Sequence, residues 1–141
     1  MNILIKKYVP NLMADWAKVL ASSRNGIFLF DRSFVEYHGD RFTDFSTIAY
    51  IDEEPVALLP ASIDLNNGWA TSHAGLTYGG VVLKRDLRGT DAISIINALL
   101  DWLKSEGVKQ LTVKLLPEIF CTYPSEEVEY AFWRRGFSLV R

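Results

Sequence analysis

The sequence predicts a mixed α/β domain of the α+β type, with a mostly antiparallel sheet, a long amphipathic helix lying flat on it, and one parallel crossover. Three observations predict it. From Phe45 onward, short apolar runs are separated by the charged turn Asp52-Glu53-Glu54-Pro55 and by Asn66-Asn67-Gly68, the pattern of antiparallel strands joined by tight turns. Ile93, Ile96, Leu99, Leu100 and Leu103 then recur at helical spacing. Val108, Leu111, Val113 and Leu115 alternate directly after them, so a strand follows the helix, and strands joined through a helix pair in parallel.

Taken in order, Ile3 to Tyr8 reads as a first strand, stopped by Pro10. Asn11 is expected to cap a helix reaching Ser22, with Leu12, Trp16, Val19 and Leu20 facing a core. After Asn25-Gly26 and the apolar run Ile27-Phe-Leu-Phe30, Asp31 or Ser33 can cap a brief second helix carrying Phe34, Val35 and Tyr37 and closed by Gly39. Strands are expected over 46–51 and 56–63. Pro60 lies inside the second and removes a ladder hydrogen bond, which calls for an edge, a bulge or a bend. The long helix should run over 90–106, capped by Thr90 or Asp91 and ended by a left-handed Gly107. A strand over 108–116 stops at Pro117. A last helix begins near Tyr123-Pro124-Ser125, packs through Val128, Tyr130, Ala131 and Trp133, and stops at Gly136. Phe137-Ser-Leu-Val140 begins another strand.

Composition narrows the function classes. The 141 residues, 49% hydrophobic and 23% charged, suffice for one domain with a substantial core. A net charge of −2 provides no basic field for nucleic acid. The lone Cys121 cannot form an internal disulfide and reads as a small hydrophobe, compatible with a reducing cytoplasm. Met-Asn-Ile-Leu-Ile-Lys-Lys is too short an apolar stretch for a signal peptide and carries its charges on the wrong side, and no apolar run reaches membrane-spanning length. A cytoplasmic protein is expected. The two histidines, His38 and His73, lack metal-ligand spacing, so no metal is expected.

One stretch carries chemistry. The run from Ser72 through Gly79-Gly80-Val81-Val82-Leu83 leads into the basic turn Lys84-Arg85-Asp86-Leu87-Arg88-Gly89-Thr90, which opens the long helix. A strand, a Gly-containing turn and a helix N-terminus make an anion site, because the first amides of a helix lack intrahelical partners and carry the positive end of its dipole. Amides near Arg88, Gly89, Thr90 and Asp91 would hold a phosphate group, with Lys84, Arg85 and Arg88 neutralising it. The plainer reading is a solvated basic turn before a capped helix, with Asp86 and Asp91 opposing an anion.

This order of elements, with Ala131-Phe-Trp-Arg-Arg-Gly-Phe137 closing the last helix, resembles the Gcn5-related N-acetyltransferase superfamily, in which the turn before the central helix holds the pyrophosphate of an acyl-coenzyme A. The family's Arg/Gln-x-x-Gly-x-Gly/Ala pattern is met only by Arg85 and Gly89, one residue out of spacing, and Thr90 or Asp91 replaces its last small residue. Phe34-x-x-Tyr37-His38-x-Asp40-Arg41-Phe42, Ala57-Leu-Leu-Pro-Ala61 and Ser72-His73-x-Gly75-Leu76-Thr77-Tyr78-Gly79-Gly80 are similar to the FemAB-like branch, whose members often join two such domains. The resemblance implies helices on both sheet faces, a last strand missing, and a single domain over 1–141 that corresponds to the first half of such a pair.

It also implies an acyl-CoA-dependent N-acyltransferase acting on an amine of a sugar or cell-envelope precursor. Acetyl-CoA or another acyl-CoA would be the donor. His73 would be the base and Tyr78 the acid, while Tyr37, His38, Asp40, Arg41, Gly79 and Gly80 would shape the acceptor side. Each has a plainer role: His73 hydrogen-bonded at a strand end, Tyr78 a half-buried strand aromatic, and the acidic-basic cluster a surface loop. The alternative function is a non-catalytic domain of the same fold with a degenerate coenzyme A site, paired with a second half or with its own copy across an open strand edge.

Overall fold

The computed structural model describes residues 2–24, 32, 43–72, 80–114 and 127–138. Strand β1 (Ile3–Lys7) is followed by a 3-10 turn (Pro10–Leu12) and helix α1 (Met13–Ala21). Strands β2 (Thr43–Asp44), β3 (Thr47–Ile51), β4 (Glu54–Leu59), β5 (Ser62–Asp64), β6 (Trp69–Thr71) and β7 (Val82–Leu83) come next. Helix α2 (Gly89–Ser105), strand β8 (Gln110–Thr112) and helix α3 (Glu127–Arg134) complete the described elements.

The strands form two four-stranded sheets, ordered β1-β3-β4-β7 and β2-β5-β6-β8. Among the described residues every strand pairing is antiparallel except β6 with β8. The expected strand over 56–63 is therefore two, and Pro60 is why: with no N–H to donate, it stands where the chain leaves one sheet for the other. Ser46 Oγ bridges that break by accepting from the Ala61 amide at 3.1 Å. The charged turn is narrower than its sequence suggests. Asp52 and Glu53 both have positive φ, 49° and 72°, as a two-residue hairpin requires, and Glu54 and Pro55 already belong to β4.

Alternation within the strands serves two cores. Ile48, Tyr50, Leu58 and Val82 pack with Tyr8, Trp16 and Val19 on the α1 side. Ala49, Ala57, Leu59 and Leu83 pack against Ala92, Ile95, Ile96, Leu99 and Leu103 of α2 and Val128, Ala131 and Phe132 of α3 on the other. This is the mixed, helix-flanked sheet that the sequence predicts. The Tyr50 hydroxyl donates to Asp15 Oδ2 at 2.7 Å, and burial first, then that bond and the carboxylate charge, push its phenol well above the ordinary value of 10.

Some local expectations are corrected. Asn11 does not cap α1: Pro10 starts a 3-10 turn, Leu12 occupies the N-cap, and no side-chain cap bond forms. Neither Thr90 nor Asp91 caps α2, because the helix starts earlier, at Gly89, behind Arg88 in an extended conformation. Tyr130 and Trp133 are exposed and stack on each other at 6.3 Å, since α3 buries the stripe Val128, Ala131 and Phe132 instead. Of the strand expected over 108–116, the described residues 108–114 are regular over Gln110–Thr112, and 115–116 lie outside the described residues. The run 27–30, the expected second helix apart from Arg32, Pro117, Cys121, the expected start of the last helix at 123–126, and 139–140 of the last expected strand lie outside the described residues.

Candidate functional site

The parallel pair β6–β8 lies in the second sheet. Its register runs from Trp69 opposite Gln110 to Thr71 opposite Thr112. The Ser72 amide then donates to Thr112 O at 2.8 Å, and Ser72 Oγ accepts from the Lys114 amide at 2.6 Å. There the described ladder ends. When the chain is next described, at Gly80 with φ 93°, it enters β7, which pairs with β4 and not, among the described residues, with β8. Beyond Ser72 and Lys114 the pair runs into 73–79 and 115–126, which lie outside the described residues, and β7 leads into α2. At the opposite end, the Lys109 amide donates to Gly68 O at 2.8 Å, close to where α2 stops.

The backbone of the turn between β7 and α2 is fixed by the segment after α1. The Arg24 amide donates to Leu83 O at 2.9 Å and the Arg85 amide to Ser22 O at 2.8 Å, so the segment after α1 runs beside the turn. The Arg24 guanidinium, on a side chain only 7% exposed, donates to the carbonyls of Lys84 and Arg85 at 3.3 and 3.1 Å and to that of Leu87. Its other nitrogen meets Glu127 Oε1 at 3.4 Å. With the carbonyls turned toward Arg24, the first intrahelical bond is that of the Ala92 amide to Arg88 O at 2.8 Å. The amides of Gly89, Thr90 and Asp91 precede it, at the positive end of a 17-residue helix with no side-chain cap. Gly89 faces α3: a Cβ there would lie 3.4 Å from Glu127 Cγ, an ordinary van der Waals contact.

Charges around the turn are unequal. Lys84 Nζ is bonded to Glu54 Oε1 and stands 3.9 Å from Asp86. The hydrogen bond to Glu54 holds the Lys84 ammonium above its ordinary pKa, and the same bond holds the Glu54 carboxyl below its own. Lys84 is thus locally neutralised, whereas Arg85 and Arg88 have exposed side chains. An open pocket of about 350 Å³ lies against the turn, lined by Ala21, Ser22, Lys84, Arg85 and Asp86. A larger groove of about 650 Å³ lies at the far end of α2, between Leu103, Lys109 and Phe137. The smaller pocket lies along Lys84, Arg85 and Asp86 of the turn, and neither pocket is lined by Gly89, Thr90 or Asp91.

Of the residues expected at a site, Lys84, Arg85, Arg88, Gly89, Thr90 and Asp91 share this one turn, and Gly80 leads into the strand that feeds it. His73, Tyr78, Gly79, Tyr37, His38, Asp40 and Arg41 lie outside the described residues. Sequence reasoning missed Arg24 and Glu127. They are 103 residues apart, and neither stands in a motif. The one available signal was a charged residue directly after an amphipathic helix.

No family model matches the chain, and no curated protein matches it. Solved structures do. A ribosomal-protein-alanine N-acetyltransferase from Brucella melitensis biovar Abortus 2308 superposes with a TM-score of 0.62 at 14% identity, over 100% of this chain and 95% of that one. The chain has the fold of the Gcn5-related N-acetyltransferases. AAC(6')-Iy, solved with the bisubstrate analogue CoA-S-monomethyl-acetylneamine, matches this acetyltransferase fold at TM-score 0.60 and 16% identity, over 100% and 94% of the two chains. Glucosamine-6-phosphate N-acetyltransferase from Arabidopsis thaliana matches at 0.52 and 16%, over 100% and 95%. At these identities the likeness establishes the N-acetyltransferase fold alone. Among the described residues no helix is long and apolar enough to cross a membrane.

Proposed function

We propose that the protein is an acyl-CoA-dependent N-acyltransferase whose donor diphosphate sits on the amides of Gly89, Thr90 and Asp91. The observation that carries this reading is the start of α2 at Gly89, directly after the basic turn, with no side-chain cap on its first amides. Arg88, exposed at the N-cap, supplies the mobile positive charge. Fold neighbours whose names describe acetyl transfer to amines, one of them holding a coenzyme A bisubstrate analogue, support the same reading.

In this account the acceptor amine attacks the thioester carbonyl directly. A C–N bond forms, the C–S bond breaks, His73 takes the amine proton, and Tyr78 returns a proton to the leaving thiolate. Tyr37, His38, Asp40, Arg41, Gly79 and Gly80 form the acceptor side. The acceptor class is an amino sugar or cell-envelope precursor, as the FemAB-like phrases suggest, and the cytoplasm is where the donor would be met. Release of free thiol from acetyl-CoA, screened over amino sugars and α-amino peptides, tests the reading. Amine-dependent release that is lost in His73→Ala supports it, and no release with any amine counts against it.

A second reading is favoured by one observation, the engagement of Lys84 by Glu54 together with Asp86 nearby. On that reading the turn has kept its shape without its ligand, and the domain pairs with a second half or its own copy. Failure of coenzyme A to bind a folded sample would select it.

A further inference from the structure

We infer that Arg24, held by Glu127, is the positioning residue that gives the anion turn its binding geometry. This rests on the diphosphate reading above and goes beyond it, because Arg24 touches no part of the proposed ligand. A turn can offer its amides to an anion only if its carbonyls point elsewhere. Here the carbonyls of Lys84, Arg85 and Leu87 all converge on one buried guanidinium. Carbonyl oxygens that turned outward would oppose a phosphate on the same face as the Gly89 to Asp91 amides, so the convergence on Arg24 decides the sign of the turn's outer face.

Arginine suits the task. Its planar fork reaches several acceptors at fixed angles and keeps its charge when buried, whereas lysine offers a single point of donation. Glu127 completes the arrangement from α3, with Oε1 3.4 Å from Arg24 Nη1, and its Cγ packs beside Gly89. The segment after α1, the turn and the start of α3 are thereby fixed to one another. A distortion of the Arg24–Glu127 pair reaches the turn without any change in the residues that meet the ligand.

The test compares the wild type, Arg24→Lys, Glu127→Gln and Arg88→Glu by calorimetric titration with coenzyme A at several salt concentrations, each sample first checked for folding by circular dichroism. A positioning role predicts that Arg24→Lys weakens binding about tenfold or more, and Glu127→Gln several-fold, while the dependence on salt keeps its wild-type slope, since no phosphate contact has been removed. Arg88→Glu should instead flatten that slope. The amide resonances of Gly89, Thr90 and Asp91 should shift on adding coenzyme A to the wild type and shift less in Arg24→Lys. If Arg24→Lys does not fold, Glu127→Gln decides in its place. Wild-type affinity in the folded variants, or a slope that flattens in Arg24→Lys as in Arg88→Glu, overturns the positioning role and leaves the diphosphate site standing. A folded wild type that ignores coenzyme A overturns both.

Discussion

The two ends of α2 are finished in opposite ways. At its C-terminus the helix closes on itself. Gly107, with φ 90°, lets the Val108 amide reach Leu103 O at 3.0 Å and its own amide reach Lys104 O at 3.2 Å, so the last carbonyls are satisfied by the chain's own backbone. At its N-terminus there is no such closure: Arg88 is extended, no side chain caps, and the effort of the surrounding structure goes into the carbonyls of the preceding turn instead. The start of α1 likewise has no side-chain cap; what sets the start of α2 apart is the buried guanidinium that takes up the carbonyls of the turn before it.

The contrast predicts that substitutions at the closed end change stability, and those at the open end change binding. Leu103 is 2% exposed and also supplies the carbonyl for the closing bond, so Leu103→Ala should have the largest effect, about 2–5 kcal/mol lost in urea unfolding. Gly107→Val follows, because a β-branched residue is strained at that positive φ even though a Cβ there meets nothing within 4 Å; about 1–2 kcal/mol should be lost, with coenzyme A affinity unchanged in the folded protein. At the open end, Arg88→Glu should leave the unfolding midpoint nearly where it was and reduce coenzyme A affinity about tenfold, equivalent to about 1.4 kcal/mol. A large stability loss in that variant would blur the contrast between the ends.

The smallest effect is electrostatic. Glu54 has its carboxyl pKa lowered in the folded state, so its pairing with Lys84 contributes fully above the ordinary 4.5 and is lost as pH falls through the depressed value. Lys84 has its own pKa raised, so the same pairing persists below the ordinary 10.5 and is lost only as pH rises beyond it. Between those limits Glu54→Gln should scarcely change stability, as expected for an exposed pair. It should free the Lys84 charge and tighten coenzyme A binding slightly. Weaker binding would mean that the pair supports the turn rather than competing with its ligand.

The same contrast explains how much could be read from the sequence. Gly107 and Gly136 were legible as helix stops because left-handed closure needs only one local residue type; Gly136, at φ 87°, repeats the closure of Gly107, with the Phe137 amide on Phe132 O and the two rings 4.8 Å apart. The α2 stripe was legible because periodicity records which face is buried. Pro60 announced a break but not its form, since the passage between two sheets depends on which strands lie alongside. The caps at Asn11, Thr90 and Asp91 were misread because a residue with capping chemistry was present at each, while Pro10 and the extended Arg88 set the true starts. The turn proposed to hold the diphosphate is visible in the sequence as a Gly-containing basic segment before a helix. Its support is not, because the Arg24 and Glu127 contacts are made across the fold and leave no spacing in the chain.

The most direct measurement is calorimetric titration of the wild-type protein with acetyl-CoA at low and moderate salt. The account predicts micromolar or tighter binding that weakens as salt rises, the behaviour of a diphosphate held by amides and an exposed arginine. No binding by a folded sample, or binding indifferent to salt, would contradict it.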